Sequence, residues 1–86
     1  MKHSISINGE KIPVELFVSV FDRETNEVVD EGFDTIREAY RDYPRSLFRC
    51  EWTAARILDK DGNLDFPIYC GSNIRKAISI LKDVLS

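Results

Sequence analysis

The residues that have the chemistry of a nucleophile or a base are few in this sequence and lie far apart. His3 is the only histidine, and Cys50 and Cys70 are the only cysteines. Nucleophilic catalysis needs a base beside the nucleophile. Both cysteines fall at the apolar positions of strand-like segments, where a cysteine is usually an inert small hydrophobic residue. Zinc needs about four ligands, more than these three residues supply. The sequence therefore predicts no catalytic residue, no metal site and no cofactor, and we expect no small-molecule substrate.

The segment from Asp59 to Asp65 carries acidic or amide residues at alternate positions, as calcium-binding loops do. Such a loop needs glycine at its sixth position and glutamate at its twelfth. Here Gly62 stands fourth and Cys70 twelfth. Because Asp-Gly is a common turn pair, the segment predicts a hairpin turn and not a calcium site.

Acidic residues are concentrated in the first third of the chain. Residues 1–34 hold three basic and eight acidic residues, a net charge of −5. Six of these acids fall within residues 22–34, where Arg23 is the only base. Such a segment presents a negative surface to a basic partner, although the same charges also discourage a hairpin from aggregating through its edge. The predicted acidic partner-binding residues are Asp22, Glu24, Glu27, Asp30, Glu31 and Asp34.

Arginines are concentrated in the middle of the chain. Residues 35–56 hold five arginines and three acids, a net charge of +2. This pattern leaves open an alternative, in which the arginines bind the phosphates of a nucleic acid. Glu38 and Asp42 interleave with them, which favours an ion-paired helix face, and the sequence pI of about 5.1 opposes phosphate binding. The candidate phosphate-binding residues are Arg37, Arg41, Arg45, Arg49 and Arg56.

Hydrophobic periodicity predicts the elements that position these residues. Apolar residues alternate along residues 3–7, 12–21, 27–32, 47–58 and 64–70, and they recur at helical spacing along residues 36–43 and 74–85. Asn8-Gly9 is a strong hairpin signal between the first two strands. Thr35 or Asp34 is expected to cap the first helix and Gly71-Ser72-Asn73 the second, while Pro44 ends the first helix.

The resulting order is β-β-β-α-β-β-α, in which both helices are apolar on one side only. This order predicts a single α+β domain over residues 1–86. Its expected architecture is a two-layer sandwich, with an antiparallel sheet of four to five strands and two helices on one face. In the last strand, Leu64, Phe66, Ile68 and Cys70 are expected to share the core face. That register requires a connecting loop of three or five residues and places Cys70 beside Trp52.

The sheet face opposite the helices is then open to water or to a partner. Aromatic and aliphatic residues occur on the parity that faces this side, and an exposed apolar patch marks a surface for a partner or for self-association. Aromatics on an open sheet are also typical of RNA-recognition folds, but the element order and the acidity oppose that interpretation. The predicted contact residues on this face are Phe17, Phe21, Ile57 and Tyr69.

Together these patterns predict a small acidic, non-enzymatic protein-binding module. It would act as an inhibitor or adaptor, by stoichiometric contact through the acidic segment and the open sheet face. Its size and acidity fit the inhibitors that phages or plasmids encode against a host nucleic-acid or defence machine, by analogy alone. Two alternatives stay open, a nucleic-acid-binding accessory protein that uses the arginines and a homodimeric structural protein that pairs its sheet faces. The missing signal sequence and the low cysteine count favour the cytoplasm, with no membrane partner.

Overall fold

A computed structural model describes residues 2–86, apart from the side chain of Phe66. Within these residues, five strands and two helices follow one another in the order β1, β2, β3, α1, β4, β5, α2. Their bounds are β1 Lys2–Ile7, β2 Glu10–Asp22, β3 Val28–Phe33, α1 Ile36–Asp42, β4 Phe48–Ile57, β5 Leu64–Tyr69 and α2 Ile74–Leu85. The chain is therefore a small α+β fold with an antiparallel sheet and two helices, as the periodicity predicts, and the sheet is curled, which the periodicity does not predict.

Strand β2 is the centre of the sheet. Residues 14–22 of β2 pair with β4 along one edge. On the opposite edge, residues 10–15 pair with β1 and residues 18–21 pair with β3. Strands β1 and β3 thus lie end to end beside β2, and β5 extends the sheet beyond β4. Strand β2 is long because apolar residues alternate along it without a break. This length lets it pair with three neighbouring strands.

The helix ends follow the predicted capping residues. Thr35 Oγ1 accepts a hydrogen bond from the Glu38 backbone N–H at 3.1 Å, and the Asn73 side chain accepts one from the Lys76 N–H at 3.1 Å. Each bond satisfies a backbone donor that the first turn of a helix leaves without a partner. Helix α1 ends at Asp42, two residues before Pro44, because proline disfavours helical backbone in the residue that precedes it.

Both helices pack against side chains of the same parity on β2. Val14 and Leu16 belong to a cluster with Ala77 and Leu81 of α2. Val18 and Val20 belong to a second cluster, with Ala39 of α1. The two clusters divide the core along the length of β2, so α1 covers the end near β3 and α2 covers the end near β1.

The hairpin that joins β4 to β5 differs from the prediction. Its loop holds six residues, 58–63, in place of three or five. Ile57 consequently pairs with Leu64, which places Leu64 on the face opposite the helices. A bulge then sets Ala55 opposite two residues of β5, so that Ala54 pairs with Ile68 on the helix-covered face. The prediction that Leu64 and Ile68 share the core face is wrong, because the parity of β5 changes at this bulge.

Beyond the bulge the predicted register is restored. The Cys70 N–H donates to the Trp52 carbonyl at 3.0 Å, so Cys70 lies beside Trp52 as expected. The sequence predicts Phe66 on the core face, but its side chain is not among those that the structure describes. Among residues 2–86, neither helix has the length and apolar character needed to cross a bilayer.

Candidate functional site

The sheet face opposite the helices is concave, and its centre is filled by its own side chains. We define the concave face by Phe17, Ser19 and Phe21 of β2, Thr53 and Ala55 of β4, and Tyr69 of β5. No helix packs on it in the described part of the chain, yet Phe17 and Phe21 are each only 6% exposed and Ala55 is fully buried. The expected exposure of Phe17 and Phe21 is therefore wrong, although both residues lie on the predicted face.

Curling of the sheet explains this burial. The β2–β3 pairing shifts register twice and the β4–β5 pairing once, and such bulges increase the local twist of a sheet. The rings of Phe21 and Tyr69 stand edge to face with their centroids 5.3 Å apart, although β4 separates their strands. Flat strands at that separation would lie about 10 Å apart. The side chains of the two flanking strands therefore converge over β4.

A hydroxyl pair lies beneath these rings. The Oγ of Ser19 and the Oγ1 of Thr53 are 2.8 Å apart, and the two residues are 0% and 1% exposed. Each hydroxyl supplies the other with a hydrogen-bond partner, which offsets most of the cost of removing a polar group from water. The centre of the concave face is consequently a desolvated second core.

Arg49 covers the Phe21 end of the concave face. Its guanidinium lies 4.2 Å from the centroid of the Phe21 ring, forms an ion pair with Glu51 and donates to the side chain of Asn26. The other carboxylate oxygen of Glu51 accepts from the Gly71 N–H at 2.9 Å. Arg49 thus joins the β2–β3 turn to β4 and, through Glu51, to the loop before α2. These contacts give Arg49 a structural role.

Two neighbouring cavities open on the other end of the concave face. The smaller, of about 170 Å³, is lined by Glu15, Phe17, Glu31, Gly32 and Leu64. Glu31 belongs to β3 and Leu64 to β5, the two outer strands, which a flat sheet would hold about 14 Å apart. A single small cavity reaches both because the sheet curls. We call this cavity the cleft.

The larger cavity, of about 380 Å³, shares Glu15 and Leu64 with the cleft. Its remaining lining comes from β1 and from the β4–β5 hairpin, namely Lys2, Ile57, Asp59, Lys60 and Gly62. Carboxylates and amines both occur there, whereas the charged residues that line the cleft are both acids. The two cavities therefore differ in charge.

Tyr69 forms the exposed rim of the concave face, with 41% of its surface accessible. Partial burial and the nearby carboxylates of Glu31 and Glu51 raise the pKa of its hydroxyl. The charge of Glu31 in β3 acts on Tyr69 in β5, which is consistent with the two outer strands approaching each other on this face. Tyr69 and Ile57 are the predicted face residues that remain accessible, with Ile57 half-buried on the lining of the larger cavity.

The acidic residues between Asp22 and Asp34, here called the acidic ridge, divide into two groups. The Asp22 carboxylate accepts from the Glu24 and Thr25 N–H groups and so shapes the turn. The Asp30 carboxylate accepts from the Glu31 N–H and, at 2.7 Å, from the Tyr43 hydroxyl, and this second bond raises the pKa of Tyr43. The four other members of the ridge are exposed: Glu24, Glu27, Glu31 and Asp34.

The five arginines of the alternative interpretation are divided among separate environments. Arg45 stacks on the Tyr40 ring at 4.0 Å, and Arg56 forms an ion pair with Asp65 at 3.2 Å. Arg49 faces the concave side, as described above. Arg37 and Arg41 are exposed on α1. The structure therefore does not gather the five side chains into one phosphate-binding surface.

The residues with nucleophilic or metal-binding chemistry are also dispersed. Cys50 packs against the α1 cluster, and its burial raises the pKa of the thiol, whereas Cys70 packs against the α2 cluster. His3 is exposed on β1. The Asp59 carboxylate accepts hydrogen bonds from Asp61 and Asn63 of its own turn, which lower its pKa. Within residues 2–86, no three histidine, cysteine or acidic side chains are grouped as a metal site would require.

Sequence reasoning missed three residues of the cleft: Glu15, Gly32 and Leu64. The sequence predicts Leu64 in the core because its pattern shows neither the six-residue loop nor the extra residue in β5, for which Pro67, a residue that strands tolerate at bulges, is the available signal. Comparisons with protein-family models, with curated proteins and with solved structures find no match to this chain.

Proposed function

We propose that this chain is a non-enzymatic protein-binding module that contacts a basic protein through its acidic ridge and its concave face. In this proposal the fold serves as a two-layer sandwich, whose sheet gives one face to the helices and the other to the partner. The module acts as an inhibitor or adaptor, by occupying a surface of its partner in a fixed stoichiometry.

The observation that carries the proposal is the state of the exposed ridge acids. The side chains of Glu24, Glu27, Glu31 and Asp34 make no hydrogen bond or ion pair within residues 2–86. The only base of the segment, Arg23, is engaged elsewhere, because its Nε donates to the Arg45 carbonyl at 2.8 Å. Like charges held on one hairpin repel one another, and a basic partner would relieve that repulsion. The same charges would steer a basic partner toward the ridge.

The two alternatives have less support. Nucleic-acid binding would need several of the arginines to contact one phosphate backbone, but Arg45, Arg49 and Arg56 are held by partners in different parts of the fold. A homodimer that pairs its sheet faces would need exposed apolar area there, but Phe17 and Phe21 are already buried.

Reversing two ridge charges tests the proposal. Glu24→Lys with Glu27→Lys is expected to lower the capture of the partner from host lysate about tenfold, because both attraction and steering depend on these charges. The measurement is quantitative mass spectrometry of the proteins retained by immobilised wild type and variant. The matched control is Glu10→Lys with Asp83→Lys, which changes the net charge equally at exposed sites outside the ridge.

Proteins that the wild type and the control retain, and that the ridge variant loses, support the proposal. Equal retention by all three proteins would overturn it. Nuclease treatment of the lysate adds a second readout, since retention that disappears on treatment would favour the nucleic-acid alternative.

A further inference from the structure

We infer that the cleft receives one lysine or arginine side chain of the partner, an inference that rests on the proposed function and names the chemistry it recognises. The cleft lies where the acidic ridge meets the concave face, because Glu31 of the ridge and Phe17 of the concave face both line it. A partner attracted by the ridge therefore reaches the cleft without leaving the negative surface.

The size of the cleft limits what it can hold. Its volume is about 170 Å³. Pockets for cofactors and drug-sized ligands are commonly about 300–1,000 Å³. The cleft therefore has room for one long side chain and not for a complete small-molecule ligand.

The lining of the cleft matches the two parts of a basic side chain. Phe17 and Leu64 supply an apolar surface of the kind that covers the methylene stem of lysine or arginine. Aromatic Phe17 also attracts a cation that approaches the face of its ring.

The charged residues of the lining favour a cationic head group. Glu15 lies opposite Lys2 across the β1–β2 ladder, where directly facing opposite charges attract each other. Glu31 is exposed and its carboxylate has no ion-pair partner within residues 2–86. Glu31 is thus the principal anion of the cleft.

The larger cavity accommodates what flanks the inserted side chain. It continues from Glu15 and Leu64 toward Lys2, Asp59 and Lys60. Because this end carries both signs of charge, it suits polar backbone and mixed side chains better than a second cation. The expected ligand is therefore a protein segment with one basic residue in the cleft and its neighbours beside the β4–β5 hairpin.

An NMR titration with a defined probe tests this inference. The probe is the tripeptide acetyl-Gly-Arg-Gly-amide, and a citrulline tripeptide of the same shape but without the charge is the matched control. We expect the arginine peptide to shift the amide signals of Phe17, Gly32 and Leu64, and the citrulline peptide to leave them unchanged. A lysine tripeptide should bind at the same residues.

Two variants assign the binding to Glu31. Glu31→Gln is expected to weaken binding of the arginine peptide by about 1.5-fold to fivefold, the range for one exposed charge pair. Glu10→Gln removes an exposed charge outside both the ridge and the cleft and should leave the affinity unchanged. Equal binding of the citrulline peptide, equal affinity of Glu31→Gln, or shifts confined to residues 22–27 would each overturn the inference.

Failure of this inference and failure of the proposed function give different results. If the ridge variant loses its protein partner while the arginine peptide leaves the cleft signals unchanged, the partner binds by the ridge alone. If the peptide binds in the cleft but the ridge variant retains the same proteins as the wild type, the cleft does recognise basic residues. The proposed function of the ridge is then wrong.

Discussion

Replacing Leu81 with alanine is expected to lower the free energy of unfolding by about 2–5 kcal/mol. Leu81 is fully buried in α2 and packs in the cluster that joins this helix to Val14 and Leu16 of β2. Removal of its methyl groups loses hydrophobic burial and leaves a cavity that neighbouring strands are too constrained to fill. Because small domains are stable by only about 5–15 kcal/mol, this one change removes a large part of the total. Denaturant-induced unfolding followed by circular dichroism measures it.

The matched control lies on the same helix. Val84 belongs to the apolar stripe that the sequence predicts for α2, but it is 48% exposed. Val84→Ala is therefore expected to change the free energy of unfolding by no more than about 0.5 kcal/mol. If the two variants were equally stable, the placement of α2 on the sheet would be contradicted.

The second large effect concerns the hydroxyl pair under the concave face. Ser19→Ala and Thr53→Val each remove one hydroxyl and leave the other without its partner in a site from which water is excluded. Each single change is expected to cost about 1–3 kcal/mol. The double variant leaves no hydroxyl without its partner, and Thr53→Val keeps the shape of the side chain, so the double variant should lie within about 1 kcal/mol of the wild type.

This non-additivity distinguishes a desolvated face from a wet one. The three variants and the wild type form a double-mutant cycle, whose coupling energy is measured by equilibrium unfolding. Small and additive costs would mean that water reaches both hydroxyls and satisfies them when a partner is removed. In that case the centre of the concave face would not be a desolvated second core.

Much of the fold follows from local patterns in the sequence. The alternation along β2 and the stripe of α2 depend on residues that are neighbours in the chain, and the caps at Thr35 and Asn73 act within one turn. These features were predicted with their correct type and nearly their correct bounds. Local physical chemistry is sufficient for them, because no distant residue decides the outcome.

The parts that were missed depend on distant residues. The face on which Leu64 lies is decided jointly by a six-residue loop and by a bulge opposite Ala55. The burial of Phe17 and Phe21 depends on how far three register shifts curl the sheet, which no single strand encodes. A sequence pattern gives the parity of a strand, but not the curvature of the sheet that contains it.

The candidate site shows the same limit at the level of single side chains. The sequence pattern predicts Arg49 and Asp30 as charges on the surface. In the structure, Arg49 forms an ion pair with Glu51 and donates to Asn26, and Asp30 accepts from the Tyr43 hydroxyl. Their partners lie up to 23 residues away along the chain. The packing of β3 and β4 therefore decides which charges stabilise the fold and which are left for a partner.

Site-specific photo-crosslinking tests most directly whether the partner binds the concave face. A photoreactive aromatic residue at Tyr69, the exposed rim of that face, is compared with the same residue at Ser79, which is exposed on α2. We predict that the partner retained in the lysate experiment forms a covalent adduct from position 69 and none from position 79. An adduct from position 79 without one from position 69 would place the partner on the helices and contradict the proposed function.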